Sequence, residues 1–246
     1  MPQITVIDPT FTHGWNVELM QLYPRSASTG TQIRMVSTEW GTASIEGCAD
    51  KILIAAVIIC WTMEAEDEGV EAVIINFMRD TGLHNAWDMV IILVTSPAEA
   101  SMHLAVIPGH KFSLPMEFNL YTSMMEEQDA SYGLSGKLAS VCAFTIPVFE
   151  LEKDPFASLR SLINFSTHCV REDEAHIIVP GCTGLVGMAP YIHVGLVDQV
   201  YDVPLLDSPP VAMNLSETLV SFGLSHRKRS YAIIKTGDYL MSGLYI

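Results

Sequence analysis

Basic residues, paired cysteines and long apolar runs are all scarce in this chain of 246 residues. Only 13 lysines and arginines stand against 28 aspartates and glutamates, which gives a formal net charge of −15. Such a surface repels phosphate backbones and anionic lipids, so we expect no nucleic-acid partner and no membrane partner. The longest apolar run, ILIAAVIIC, is bounded by Lys51 and Trp61 and is too short for a membrane span.

The cysteine pattern and the N-terminus point to the cytoplasm. Five cysteines, an odd number without C-x-x-C spacing, favour a reduced protein over a disulfide framework. The opening stretch PQITVID is strand-like and has no basic region before it, so we expect no secretory signal. Four of the cysteines fall in helical or strand-core patterns and are interpreted as packing residues: Cys48, Cys60, Cys142 and Cys169.

What the chain does have is a regular alternation of strand and helix patterns. ITVIDP and VEAVIINF have the β-branched, apolar character of buried strands, and the helical pattern that starts in IEGCADK ends at Gly69. VPLLDS near the end also predicts a strand. The alternation predicts an α/β fold of parallel sheets flanked by helices, in two lobes with a cleft between them. Neither GxGxxG after the first strand nor a P-loop pattern occurs, so we expect no nucleotide cofactor, and we assign no metal ligands.

Four loops hold the candidate site residues, because ligands of α/β proteins bind beyond the carboxyl ends of strands. The loops are residues 8–12, 41–47, 76–82 and 180–184. The candidates for proton transfer are Asp8, Glu46, Asp80 and Cys182. The candidates for substrate binding are Thr10, Trp40, Ser44, Asn76, Phe77, Met78, Arg79, Thr183 and Gly184.

Each catalytic candidate also has a structural interpretation. Asp8, Glu46 and Asp80 are placed where they could simply help to start helices. A cysteine after a strand is most often a small buried hydrophobe. Cys182 stands out because it lies in a Gly-Cys-Thr-Gly turn, where backbone N–H groups lower a thiol's pKa and offer an anion site.

At these loops the chain resembles the aspartate/glutamate/hydantoin racemase superfamily, and most closely its hydantoin and allantoin racemase branch. Six stretches match in order: ITVIDPT, GTASIEG, EASMHLAVIPGHKFS, LASVCAFTIPVFELEKD, IIVPGCTGLVGMA and VPLLDSPPVAMNLSETLVSFGLSHRKRSYA. The resemblance implies two pseudo-symmetric lobes, residues 1–95 with 211–246 and residues 96–210. It also implies a cofactor-free site between the lobes, where one cysteine from each lobe exchanges a proton with opposite faces of the substrate's carbon.

The sequence departs from this branch at two of the loops. The branch usually reads Asn-Cys-Phe-Gly-Asp-Pro-Gly-Leu where this chain reads NFMRDTGL, so Phe77 takes the place of the first cysteine. A phenyl ring exchanges no proton, and a two-cysteine racemase is therefore not expected. Asp8 stands where the branch has asparagine, and among apolar side chains such as Trp40 the pKa of a carboxyl group rises. Asp8, Glu46 and Asp80 could then divide into an acid and a base.

Three functions stay open on this sequence. The best-fitting one is an epoxide hydrolase or cyclase that opens the ring of a neutral, largely apolar specialised metabolite such as a polyketide. The second is a one-cysteine racemase or isomerase, or an arylmalonate-type decarboxylase, with Cys182 as the proton donor. The third is a ligand-binding protein without catalysis. Assembly into a homo-oligomer also stays open.

Overall fold

The structure of the protein, a computed structural model, describes residues 1–10, 13–37, 45, 47–116, 121–143, 155–185 and 187–233. Seven strands lie in these ranges: β1 Gln3–Asp8, β2 Gln32–Ser37, β3 Ala72–Ile75, β4 Leu93–Thr95, β5 Phe112–Met116, β6 Leu138–Ala143 and β7 Ile177–Ile178. The helices of the same ranges are α1 His13–Ser26, α2 Cys48–Asp67, α3 Leu83–Trp87, α4 Pro97–Ala105, α5 Thr122–Ser131, α6 Pro155–Arg171, α7 Ala189–Asp198 and α8 Ser208–Ser221.

The described strands form two parallel sheets. The first has the order β2-β1-β3-β4, and the second has the order β6-β5-β7. All four residues of β3 and five of the six in β1 are buried, as expected for strands that are covered on both faces. The prediction of an α/β fold with parallel sheets flanked by helices is therefore confirmed.

Helices cover both faces of the first sheet. Ile75 points into a core shared with Ile58 of α2, whereas the preceding Ile74 points into a core shared with Met213 of α8. This opposite placement follows from the two-residue period of a strand. Helix α2 presents one face to its core, with buried residues Ile54, Ile58, Thr62 and Ala65 spaced by three or four.

The second sheet is covered in the same way. Leu114 of β5 packs with Met102 of α4 and Met125 of α5. Ile178 of β7 lies in a separate core with Leu162 of α6 and Ile192 of α7, which we call the α6–α7 core. Helix α4 also packs against α8, so it connects the two sheets. The division into residues 1–95 with 211–246 and residues 96–210 stays a prediction.

The prediction of a strand over VPLLDS is wrong, because the observed pairing is much shorter. Only Leu205 forms a bridge, with Ile178 of β7. Pro204 has no N–H to donate, and α8 already begins at Ser208, so the chain has no room for a longer ladder. The described helices include none with the length and apolar character needed to span a membrane.

Candidate active site

The carboxyl ends of β1 and β3 place two polar residues side by side. Ile7 of β1 is paired with Ile75 of β3, so Asp8 and Asn76 follow from neighbouring strands at the same edge of the sheet. The backbone N–H of Asn76 donates to the carbonyl oxygen of Ile7 at 2.8 Å, which continues the ladder to this point. Both side chains are buried, with 3% of Asp8 and 2% of Asn76 exposed.

Asp8 is a buried carboxyl group with local hydrogen bonds. Its Oδ1 accepts from the Thr10 N–H at 3.1 Å and from the Thr10 hydroxyl at 2.9 Å. Burial raises the pKa of Asp8 from its ordinary 3.8 to about 6, and the hydrogen bonds from Thr10 offset this only in part. Asp8 therefore changes its charge close to neutral pH, as a general acid or base must.

Tyr23 is hydrogen-bonded to Asn76 and is close enough to Asp8 and Asp207 for the charges of both to act on it. The fully buried Tyr23 of α1 donates its O–H to Oδ1 of Asn76 at 2.8 Å. The pKa of Tyr23 lies well above its ordinary value because the ring is buried, and also because the charges of Asp8 and Asp207 lie nearby. Burial likewise raises the pKa of Asp207 to about 6. We call Asp8, Tyr23, Asn76 and Asp207 the carboxyl cluster.

Two members of the carboxyl cluster were not predicted from the sequence. Asp207 precedes the first residue of α8, between the strand-like VPLL and the prolines of SPP. An acidic residue between a strand-like run and a proline-marked helix start is a signal that could have identified it. Tyr23 lies inside a helix, and its sequence context gives no comparable signal.

Asp80 is buried in a different environment. Its φ of 45° is in the left-handed region, and neither carboxylate oxygen has a hydrogen bond of good geometry with a described residue. Burial raises the pKa of Asp80 well above its ordinary value, and the charge of Glu99 raises it further; the nearby Ser96 hydroxyl and Lys51 act in the opposite direction. Burial therefore favours the protonated form of Asp80, whose neighbours differ from those of Asp8.

The loop after β3 turns its three other candidates in different directions. Met78 is 2% exposed and packs in the core of the second sheet with Met102 and Met125. Phe77 is half-buried and packs against the α2 side of the first sheet. The Arg79 guanidinium lies 4.1 Å from the ring centre of Tyr121 and 5.1 Å from that of Phe77. Met78 thus has the position of a packing residue, and Arg79 connects the loop to Tyr121, the residue that precedes α5.

The cysteine loop follows β7 in the second sheet. The Gly181 N–H donates to the Pro115 carbonyl oxygen at 2.9 Å, and a Cβ at Gly181 would lie 2.4 Å from Cγ of Met116. Only glycine therefore fits this close approach. Cys182 is half-buried beside the α6–α7 core, and the short 3₁₀ turn Thr183–Leu185 follows it. Thr183 and Gly184 are half-buried in that turn.

The remaining candidates are Trp40, Ser44 and Glu46, which lie outside the described residues. The interpretation of Cys48 as a packing residue is wrong, because it occupies the exposed first turn of α2. Cys60 and Cys142 are half-buried, and Cys169 is fully buried.

Comparison with known proteins identifies the family of this fold. The family model described as Asp/Glu/Hydantoin racemase matches residues 16–215. The chain belongs to the Asp/Glu/hydantoin racemase family. A hydantoin racemase from Pseudomonas sp. (strain NS671) is 29% identical over 97% of this chain and 94% of its own length.

Two solved allantoin racemases have the same fold over nearly their whole length. The enzyme from Klebsiella pneumoniae is 25% identical, with a TM-score of 0.91 over 100% of this chain and 98% of the other. The enzyme from Pseudomonas fluorescens is 28% identical, with a TM-score of 0.90 over 97% of this chain and 100% of the other. These relatives confirm the two-lobed racemase fold and the resemblance to the hydantoin and allantoin racemase branch.

The relatives named above are described as racemases of hydantoin or allantoin. None of the relatives named above is an epoxide hydrolase. The difference expected from the sequence is local: Phe77 at the predicted position of the first cysteine, and a carboxylate at Asp8 in place of an amide.

Proposed function

We propose that this member of the racemase family is a cofactor-independent acid–base enzyme that moves protons with buried carboxyl groups in place of a pair of thiols. The observation that carries the proposal is the carboxyl cluster, in which Asp8 and Asp207 each have a pKa of about 6 and the charges of both raise the pKa of Tyr23. The cluster lies at the strand end that also leads into Phe77.

The protonation of these carboxyl groups suits them to paired roles. A group with a pKa of about 6 holds its proton in roughly a tenth of molecules at neutral pH and can exchange it quickly. One carboxyl group can then act as the acid while the other acts as the base, as in other enzymes with two carboxyl groups. Phe77 exchanges no proton, so two-sided transfer between thiols lacks one of its two groups.

The reaction that fits this pair is the opening of an epoxide. Protonated Asp8 donates its proton to the epoxide oxygen as one carbon–oxygen bond breaks. Ionised Asp207 accepts a proton from water while the water oxygen bonds to the released carbon, and the product is a diol. If a hydroxyl group of the substrate attacks in place of water, the product is a cyclic ether. Exchange of a proton with solvent then restores both carboxyl groups.

The same site favours a neutral and largely apolar substrate. Two carboxyl groups that ionise near neutral pH repel an anionic substrate. Burial is the cause of the raised pKa values of Asp8 and Asp207, which supports surroundings of low polarity for the substrate.

The second candidate function is a one-cysteine isomerase or arylmalonate-type decarboxylase. The observation that favours it is Cys182, which is half-buried in a turn that Gly181 fixes against Met116. The similarity to hydantoin racemases supports the isomerase form. In this function Cys182 would return a proton to one face of a carbanion.

A substrate panel tests the two functions on the purified protein. The panel contains alkyl and aryl epoxides in isotopically labelled water, chiral hydantoins and allantoin in deuterated water, and an arylmalonate. We expect labelled diol or cyclic ether from an epoxide, and loss of this activity in Asp8→Asn but not in the exposed matched control Asp202→Asn. Turnover only of a hydantoin, allantoin or arylmalonate, lost in Cys182→Ala, would overturn the proposal in favour of the second function. Saturable binding without turnover would overturn both.

A further inference from the structure

Two cysteines, one on an edge strand of the second sheet and one on a helix that covers it, lie close to each other. Cys142 lies on β6, the edge strand, and Cys169 lies near the end of α6. Their Sγ atoms are 2.6 Å apart across a sequence separation of 27 residues. A disulfide bond is about 2.0 Å long, so a shift of roughly half an ångström brings the two sulfurs to bonding distance.

The groups around this pair make the two thiols unequal. The Cys169 thiol donates to Sγ of Cys142, and the Cys142 thiol donates to Oδ2 of Asp173 at 3.3 Å. The Ser140 hydroxyl lies 3.2 Å from Sγ of Cys142. Cys142 is half-buried, whereas Cys169 is fully buried. A small reagent therefore reaches Cys142 first.

The same three side chains could in principle hold a metal ion, since the ligand atoms of Cys142, Cys169 and Asp173 lie within 4.8 Å of one another. The distances disfavour this reading. A tetrahedral zinc ion with zinc–sulfur bonds of about 2.3 Å holds its two sulfurs about 3.8 Å apart. The observed 2.6 Å would have to grow by more than an ångström. A bond between the sulfurs needs the smaller change.

We propose that Cys142 and Cys169 form a reversible disulfide when the protein meets hydrogen peroxide. The Cys142 thiolate attacks one peroxide oxygen; a sulfur–oxygen bond forms, the oxygen–oxygen bond breaks, and the hydroxide that leaves takes up a proton to become water. The Cys169 sulfur then attacks the sulfenic acid on Cys142. The sulfur–sulfur bond forms, the sulfur–oxygen bond breaks, and the departing hydroxide takes the Cys169 proton. Two electrons pass from the sulfurs to the peroxide, and two water molecules result.

The hydrogen bonds assign a role to each neighbour. Donation by Cys169 lowers the pKa of Cys142, which favours the attacking thiolate, and the Ser140 hydroxyl acts in the same direction. The Asp173 carboxylate raises the pKa of Cys142 and so restrains its reactivity. The hydrogen bond to Cys142 and burial raise the pKa of Cys169, so Cys169 stays a thiol while Cys142 reacts with the peroxide first.

Peptide mapping of the wild-type protein tests the proposal without any variant. The protein is treated with hydrogen peroxide, its remaining thiols are blocked with a maleimide, and its peptides are analysed by mass spectrometry. We expect a linked peptide pair containing Cys142 and Cys169, released by dithiothreitol. The crosslink should also raise Tm by roughly 5–15 °C, because it restricts the unfolded chain.

Three variants make the test sharper. Cys142→Ser and Cys169→Ser should lose the peroxide-dependent rise in Tm, while Cys60→Ser, a half-buried cysteine on α2, should keep it. Asp173→Asn should form the disulfide faster than wild type at neutral pH, because the charge that disfavours the thiolate is removed. Individually blocked Cys142 and Cys169, a link from Cys142 to Cys182, or one tightly held zinc ion that prevents oxidation would each overturn the proposal.

Discussion

Replacing Asp8 by asparagine separates a catalytic role from a structural one. Asparagine has the shape of aspartate and keeps an Oδ1 that can accept from the N–H and the hydroxyl of Thr10. It stabilises a turn or helix start about as well as aspartate does. What it removes is the proton that Asp8 can give or take.

The structure gives the expected effect on stability. Burial raises the pKa of Asp8 from 3.8 to about 6, which corresponds to about 3 kcal/mol of unfavourable free energy for the ionised, 3% exposed side chain. The sign follows from linkage. The folded state favours the protonated form of Asp8, because its pKa is higher there than in the unfolded chain. The stability that this preference adds to the wild-type protein is fully present below the ordinary pKa of 3.8. It is lost as pH rises through about 6. Asp8→Asn carries no charge and avoids this loss.

Asp8→Asn should therefore be more stable and less active. Above about pH 6 we expect its free energy of unfolding to exceed that of wild type by up to about 3 kcal/mol, or roughly 6–12 °C in Tm. The difference should fade towards about pH 4. Turnover of the epoxide should fall by about 10²–10⁴-fold, the usual worth of a general acid or base.

The assay combines product analysis with thermal unfolding at several pH values. Wild type, Asp8→Asn and the exposed control Asp202→Asn are measured with the same epoxide and in the same buffers. Full activity of Asp8→Asn would refute the acid–base role and leave Asp8 as a turn residue. A lower stability of Asp8→Asn at about pH 8 would refute the argument from burial.

Three further predictions concern the same strand ends. Phe77→Cys restores a thiol at the position of the missing cysteine, and deuterium exchange with inversion at a hydantoin stereocentre should rise above the wild-type level; a folded variant without exchange would contradict the alignment of this loop. Tyr23→Phe removes the O–H that donates to Oδ1 of Asn76 at 2.8 Å. Because the buried acceptor loses its partner, the free energy of unfolding measured in urea should fall by about 1–3 kcal/mol, and unchanged stability would argue against this contact. The rate of epoxide opening should peak near about pH 6, because Asp8 loses its proton above that pH and Asp207 gains one below it; a flat profile would exclude the pair.

Much of the fold could be predicted from local sequence. The two-residue period of the strands and the three-to-four-residue spacing in α2 follow from which side chains must be buried, so alternation alone indicated parallel sheets covered by helices. The structure of the VPLLDS stretch was harder to predict, because its pairing depends on a single partner in β7 and on where α8 begins.

The candidate site could be predicted only in part. The sequence showed that Asp8, Asn76 and Cys182 follow strands, and that Phe77 replaces a cysteine of the resembled enzymes. It did not show that Met78 points away into the core of the second sheet, because a loop residue has no periodicity that fixes its direction.

The sequence by itself determined the family and the parallel α/β architecture, since both depend on residue types and their order; the loss of one thiol at Phe77 stays a prediction. Only the tertiary structure decided which groups meet. Asp8 and Asp207 are far apart in the sequence, yet the charges of both act on Tyr23, and Cys142 of a strand meets Cys169 of a helix. The physical reason is that burial and charge proximity, which set the pKa of a carboxyl group and the reactivity of a thiol, depend on packing between residues far apart in the sequence.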